Sequence, residues 1–201
     1  MIKINRNWLA AGLAVAAIQT AAIGWMVWDR ISLLKNGREI VLPIIPVDPR
    51  SLFRGDYVIL DYPVSSVPAS LMTPELKEAR PSAFYVTLAK KGAEWEPVAL
   101  SAKAPVATAD AIVMKARMRW GWNETTRRRV NDATTNTAPE RVHTVRYGIE
   151  SYFVPEGKGG ALEQTARERK LAAVIAVDAG GNAAIKGLMI DGKLQYEEPL
   201  L

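Results

Sequence analysis

The chain carries 21 consecutive uncharged residues from Trp8 to Trp28, and this run constrains the fold more than any other feature. As an α-helix the run would be about 32 Å long, which matches a bilayer hydrocarbon core of roughly 30 Å. Trp8 at one end and Trp25 and Trp28 at the other would lie at the membrane interfaces, where tryptophan is enriched. We therefore predict a transmembrane helix over residues 8–28 that contacts the lipid bilayer.

Two other structures fit part of this run. A buried core helix is one alternative, but core helices are seldom free of charge over this length. A cleaved signal peptide is the other, because Lys3 and Arg6 form a basic start and residues 20–22 resemble a cleavage site. The apolar run continues past residue 22 to Trp28, which favours an uncleaved signal anchor.

The charges around the helix indicate its orientation. Residues 1–7 form a short tail with Lys3, Arg6 and the terminal amine, and such a tail is easily retained in the cytoplasm. A long downstream domain crosses the membrane largely regardless of its charge. We therefore expect residues 1–7 to be cytoplasmic and residues 29–201 to fold on the other side of the membrane.

The composition excludes several kinds of chemistry. The chain has no cysteine and a single histidine, His143. Disulfides, thiolate metal sites, cysteine nucleophiles and histidine-rich metal centres are therefore excluded, and we expect neither a metal site nor a cofactor. The formal net charge of +5 is mild, so we expect no nucleic acid partner.

The part of the chain after the helix has mainly the pattern of β-structure. Short apolar and β-branched runs are separated by turns rich in glycine, proline and asparagine. Prolines within residues 39–46 restrict that run to an edge strand. The predicted strands cover residues 39–46, 57–62, 83–88, 95–100, 111–120 and 141–146, with two closing strands around residues 178–182 and a tight turn at 191–192.

Two short helices and one polar loop complete this prediction. Thr73 is a good helix cap and Pro74 suits the first helical position, which predicts a helix over residues 73–78. A second helix is predicted over residues 160–170, and residues 123–140 have the composition of a mobile loop. The predicted fold class is α+β, mainly β: an N-terminal transmembrane helix followed by a compact antiparallel sheet or small barrel with two short helices.

One short motif points to a family. The sequence contains Gly55-Asp56-Tyr57, followed by Leu60 and Tyr62. It resembles the bacterial GDYXXLXY family at all five defining positions, and the similarity continues through residues 147–157 and 184–192. The resemblance implies a functionally uncharacterised, typically membrane-anchored protein, often encoded near polytopic membrane proteins. Together with the orientation inferred above, it leads us to expect that residues 29–201 are a periplasmic domain anchored in the bacterial inner membrane.

The motif has a structural and a functional interpretation. In a strand, its even-numbered residues 56–62 would face one way and its odd-numbered residues the other. Asp56 can fix the strand entry after Gly55 or pair with Arg50 or Arg54, while the tyrosines pack. Contact with a partner or ligand is the functional alternative. The candidate contact residues are Arg54, Gly55, Asp56, Tyr57, Leu60 and Tyr62.

Glutamates beside a glycine-rich loop form a second, weaker candidate. Glycines at positions 157, 159 and 160 allow the loop to fold back, so that two of Glu150, Glu156 and Glu163 can converge for acid–base chemistry or a hard cation. Solvated carboxylates are the more ordinary interpretation. We retain Glu150 and Glu156 as candidate contacts. A hydrolase with Ser51 as nucleophile is a further alternative, although no lysine is placed beside Ser51.

Basic and aromatic side chains are concentrated in one segment. Trp120 and Trp122 are close in sequence to Arg117, Arg119 and residues 127–129, which are all arginine. These side chains can contact anionic lipid headgroups. Alternatively, the tryptophans cover the sheet and the arginines are solvated.

These observations predict a membrane-anchored interaction or accessory module that acts with another, polytopic membrane protein. One candidate contact is the tyrosine-bearing strand. The other is a stripe of small residues along the membrane helix, formed by Ala10, Ala14, Ala17, Ala21 and Gly24. No catalytic activity is inferred. The alternative is a membrane-tethered hydrolase that uses Ser51 or paired glutamates.

Overall fold

The computed structural model describes residues 6–45, 57–92, 94–106, 108, 110–119, 125–127, 140–153, 162, 165–166 and 168–197. These residues form two α-helices, α1 (Arg6–Asn36) and α2 (Pro74–Ala79), and twelve strands. The strands are β1 (Arg38–Pro43), β2 (Tyr57–Ile59), β3 (Ser66–Pro68), β4 (Phe84–Lys91), β5 (Glu94–Ser101), β6 (Ala111–Met118), β7 (Thr125–Arg127), β8 (Glu140–Arg146), β9 (Ser151–Phe153), β10 (Leu171–Val177), β11 (Ala183–Ile190) and β12 (Lys193–Glu197).

Helix α1 contains the whole apolar run and continues beyond it. It has 31 residues, which is about 46 Å, and it ends at Asn36, eight residues after Trp28. By length and composition it can cross a membrane, and none of its apolar window is buried against the rest of the protein. Trp8, Trp25 and Trp28 are 78%, 73% and 70% exposed. An apolar surface of this size is stable in lipid and unfavourable in water.

The strand that follows α1 is the edge of a four-stranded antiparallel sheet. The sheet order is β1-β10-β11-β12, so β1 has one neighbour, as its prolines predict. β10 is almost entirely apolar and is buried on both faces. Its inner face joins the main core, and its outer face is covered at Ala176 by the last turns of α1. The end of the membrane helix is therefore part of the folded domain.

The remaining long strands form a second antiparallel sheet. Its order is β3-β8-β6-β4-β5, and β7 also pairs with β8. β4 and β5, which contain the strands predicted over residues 83–88 and 95–100, form a hairpin. Side chains from both sheets meet in one hydrophobic core, whose fully buried members include Leu42, Phe84, Leu88, Met114, Ile175 and Leu188. Burial of these apolar side chains between the sheets is the main stabilising contribution.

Several sequence predictions are confirmed. The mainly β, α+β fold class is correct, and the described sheets are antiparallel. Thr73 caps α2, because its side chain accepts a hydrogen bond from the Leu76 N–H at 3.3 Å. The predicted tight turn joins β11 to β12, with φ of +49° at Asp191 and +76° at Gly192.

Other predictions need correction. Both larger sheets keep edge strands, so the described residues form open sheets and not a small barrel. The motif strand ends at Ile59, three residues earlier than predicted, and Asp61 then forms an isolated bridge with Ile45, beyond the end of β1. Strand β7 lies inside the predicted loop 123–140, where two β-branched threonines pair with β8. Of the helix predicted over 160–170, residues 162, 165 and 166 are helical, and much of the rest lies outside the described residues.

The junction between α1 and β1 contains no linker. Gly37 follows the last helical residue, and its N–H donates to the Leu33 carbonyl at 2.9 Å. Leu33 and Leu34 are 8% and 3% exposed, and they pack against Ala176 and Ala184 on the outer face of the first sheet. A Cβ atom at Gly37 would lie 2.5 Å from the Leu33 carbonyl oxygen and 3.1 Å from the Ala176 Cβ. Close backbone approach therefore requires glycine here.

We predict that Gly37→Ala loosens this junction. The added methyl group would displace the helix end from the sheet, which we expect to lower the free energy of unfolding by about 1–3 kcal/mol. Denaturant unfolding of the full chain in detergent measures this change.

The matched control is Gly12→Ala in the apolar part of α1, where a Cβ atom meets nothing within 4 Å. We expect this control to leave the stability of the domain unchanged. Equal stability of Gly37→Ala and the native chain would show that the junction is not closely packed.

Candidate functional site

The described part of the family motif pairs with a segment about ninety residues later. β2 is antiparallel to β9, with Val58 opposite Tyr152. The Leu60 N–H continues this ladder by donating to the Glu150 carbonyl at 2.9 Å. Val58, Leu60 and Tyr62 are all buried, which agrees with the alternation predicted for the motif. Leu60 and Tyr62 are therefore core residues.

Two buried tyrosines connect these segments in a reciprocal arrangement. The Tyr62 hydroxyl donates to the Ile149 carbonyl oxygen at 2.9 Å. The Tyr147 hydroxyl donates to the Val64 carbonyl oxygen at 2.7 Å. We call this pair, with segments 60–65 and 147–150, the tyrosine clasp. Each hydroxyl donates to a buried carbonyl oxygen of the other segment. The clasp therefore fixes the register of the two segments relative to each other.

Glu150 stabilises the turn that carries one half of the clasp. Its carboxylate accepts hydrogen bonds from the N–H groups of Tyr147, at 2.6 Å, and Gly148, at 3.1 Å. Gly148 has a φ of +87°, a backbone conformation that favours glycine. Charge-assisted bonds to two backbone donors hold this carboxylate in the turn. Its geometry is that of a structural residue rather than a free acid–base group.

Burial changes the acidity of both tyrosines. It raises the pKa of Tyr62 well above its ordinary value of 10.0, and the charges of Glu150 and Asp61 raise it further. The pKa of Tyr147 is also raised, first by burial and then by Glu150. Both hydroxyls therefore remain protonated donors over the whole physiological pH range.

Several predicted site residues lie outside the described part of the chain. These are Arg54, Gly55, Asp56 and Glu156, together with Ser51 and Glu163. Tyr57 is described by its backbone alone, which pairs with Phe153. Among the described residues, no group of three His, Asp or Glu side chains could hold a metal ion.

The basic and aromatic segment is only partly described. Trp120, Trp122 and residues 128–129 lie outside the described ranges. Arg117 is exposed near the end of β6, and Arg119 is half-buried just after it. The anionic lipid contact predicted for this segment stays a prediction.

One exposed aromatic side chain lies beside the motif. Phe153 ends β9 opposite Tyr57 and is 76% exposed, whereas Tyr152 before it is buried. Alternation along the strand therefore places Phe153 on the outward side of the two-stranded sheet. The sequence analysis grouped residues 147–157 with the family resemblance but did not single out Phe153, because alternation in a three-residue strand is too short a signal.

A cleft lies at the base of α1, and no sequence pattern predicted it. It has a volume of about 450 Å³ and lies between the last turns of α1 and the ends of β6 and β10. Its polar walls include Asp29, Ser32, Arg38 and Asp178. No local signal reveals this cleft, because it forms only when α1 docks on the sheet.

Comparison with known proteins identifies one family. The family model described as GDYXXLXY protein matches residues 19–188, which include the end of the apolar run, the motif and both halves of the tyrosine clasp. No curated protein and no solved structure matches the chain significantly.

We predict that the two clasp tyrosines are energetically coupled. Tyr62→Phe and Tyr147→Phe each remove one donor from a buried carbonyl, so each should lower the free energy of unfolding by about 1–3 kcal/mol. Because both bonds hold the same two segments, the double variant should differ from the sum of the singles by about 0.5 kcal/mol or more. Denaturant unfolding of the four proteins completes the cycle.

Tyr85→Phe, on the half-buried face of β4, is the matched control and should change the stability little. Single effects as small as that of the control would argue against the clasp, and strict additivity would argue against coupling.

We also predict a loss of stability in alkaline solution. The tyrosine pKa values are raised in the folded state, so above the ordinary value of 10.0 the unfolded chain loses protons that the folded chain keeps. The free energy of unfolding should then fall with pH by up to about 1.4 kcal/mol per pH unit for each tyrosine. Unfolding curves at a series of pH values measure this slope. A Tyr62→Phe/Tyr147→Phe chain with an equally steep slope would contradict the assignment.

Proposed function

Because the chain belongs to the GDYXXLXY family, whose model matches the second half of α1 and most of the folded domain, we propose that it is a membrane-anchored interaction module. In this proposal α1 is retained and crosses the bacterial inner membrane once. Residues 1–7 lie in the cytoplasm and the domain after the apolar run lies in the periplasm. The domain acts by binding a polytopic membrane protein.

The observation that carries this proposal is the junction without a linker. α1 continues two turns past its apolar run, and Leu33 and Leu34 then pack on the first sheet. A flexible linker would let the domain rotate freely, whereas this junction gives the domain a fixed orientation at the membrane surface. A fixed orientation favours a module that presents one surface to a neighbour in the same membrane.

Anchoring also favours a partner in the same membrane. Confinement of both proteins to one bilayer raises their effective concentration, so a modest contact area is sufficient for association. The exposed small residues along α1 allow close approach of another transmembrane helix. We propose that the helix and the domain contact the same polytopic protein.

The outward side of the motif is the proposed contact surface of the domain. Leu60 and Tyr62 serve the core, which leaves the opposite side of β2–β9 for binding. Phe153 provides an exposed aromatic side chain there, a residue type enriched at interface hot spots. We propose that Arg54, Gly55, Asp56, Tyr57 and Glu156 contribute to this contact.

The proposal predicts that a crosslinker at position 153 captures one membrane protein. The chain has no cysteine, so Phe153→Cys provides a single attachment point. A membrane-impermeant maleimide–diazirine reagent added to intact spheroplasts should label this variant and, after illumination, yield one discrete adduct. The adduct is identified by mass spectrometry of the membrane fraction.

Val98→Cys is the matched control, because Val98 is 46% exposed on β5, in a different sheet. It should be labelled equally but should not yield the same adduct. Labelling of either variant only after cell lysis would overturn the periplasmic orientation. Labelling at both positions without a discrete adduct at position 153 would overturn the interaction.

A further inference from the structure

The cleft at the base of α1 is a built cavity with mixed charge. One wall is the last two turns of the helix, from Asp29 to Asn36, and the other is formed by the start of β6 and the end of β10. Its volume of about 450 Å³ falls within the roughly 300–1,000 Å³ that is typical of small-molecule sites. The cleft therefore has the size of a ligand site.

Its depth relative to the membrane follows from the helix. The apolar run ends at Trp28, and the helical wall of the cleft begins at Asp29 and extends for eight residues, about 12 Å. The headgroup layer on each side of a bilayer is of the order of 5–8 Å thick. With the apolar run in the hydrocarbon core, the Asp29 end of the cleft lies at the level of the lipid headgroups.

The polar groups of the cleft are held in place. The Nη1 group of Arg38 donates to the carbonyl oxygens of Thr108, at 2.8 Å, and Ala111, at 3.1 Å. The Asp178 carboxylate accepts two bonds from Asn182, both at 2.8 Å. A carboxylate has about four acceptor positions, so Asp178 retains capacity for a further donor. Asp29 is exposed on the helix at the membrane side.

From this position and charge we infer that the cleft binds the headgroup of an aminophospholipid. Two carboxylates, of Asp29 and Asp178, outnumber the single guanidinium of Arg38 along the walls, which favours a cationic amine. A primary ammonium group donates up to three hydrogen bonds to carboxylates, and the guanidinium attracts the phosphate. A choline headgroup has the charge but no N–H donor, and a glycerol headgroup has no cation.

This inference rests on the proposed membrane insertion of α1. The bound lipid would fill the space between the helix and the domain, where Leu33 and Gly37 of the junction form part of the cleft wall. A retained anchor would place the cleft among lipid headgroups, and the inference specifies which headgroup binds there.

The test uses the full chain in phosphatidylcholine nanodiscs that contain equal minor amounts of phosphatidylethanolamine and phosphatidylglycerol. Native mass spectrometry after release from the nanodisc should detect one retained phosphatidylethanolamine in preference to the other two lipids. Asp29→Asn should lower this retention about ten-fold, because it removes a charge-assisted acceptor. Ser32→Phe should also abolish it, by filling the cleft.

Asp110→Asn is the matched control, since Asp110 is exposed beside Ala111 but does not line the cleft. It should retain the lipid like the native chain. Equal retention of the three lipids, or equal loss with Asp110→Asn and Asp29→Asn, would overturn the inference. Retention of soluble phosphoethanolamine in pure phosphatidylcholine nanodiscs would instead indicate a soluble ligand. Recovery of the chain outside the nanodiscs would refute the anchor itself, and with it the proposed function.

Discussion

Two buried tyrosine hydroxyls fix how two segments of the domain, far apart in the sequence, are placed against each other. A tyrosine ring stabilises a core by apolar burial, but its hydroxyl must find a partner when water is excluded. Tyr62 and Tyr147 both meet this requirement, because the hydroxyl of each donates to a carbonyl oxygen in the segment that carries the other. The segments are separated by more than 80 residues, so no local interaction could set their register. The clasp supplies this long-range constraint.

The clasp is connected to the membrane helix through a short chain of backbone contacts. β1 begins at Arg38, immediately after Gly37, and its extension donates from the Ile45 N–H to the Asp61 carbonyl at 2.9 Å. Asp61 directly precedes Tyr62 of the clasp. The helix end, the first sheet and the motif thus form one continuous hydrogen-bonded path.

The sequence was sufficient where structure depends on local patterns. The apolar run, the Thr73 cap, the β4–β5 hairpin and the Asp191–Gly192 turn follow from residue type and spacing, and all are present. It was insufficient where structure depends on long-range packing. The helix continues past three charged residues, Asp29, Arg30 and Lys35, and Leu33 and Leu34 dock on Ala176, so no window of sequence contains both partners. The strand β7 was missed for the same reason, because three residues acquire strand structure only by pairing with β8.

The candidate site could also be predicted only in part. Alternation along the motif predicted that Leu60 and Tyr62 share a face, and both are buried on that face. It did not predict that the Glu150 carboxylate accepts hydrogen bonds from the N–H groups of Tyr147 and Gly148, in a turn where Gly148 has a positive φ. One side of the motif is thereby committed to the core and to the clasp. Any binding by the motif must therefore use its other side, where Phe153 is exposed.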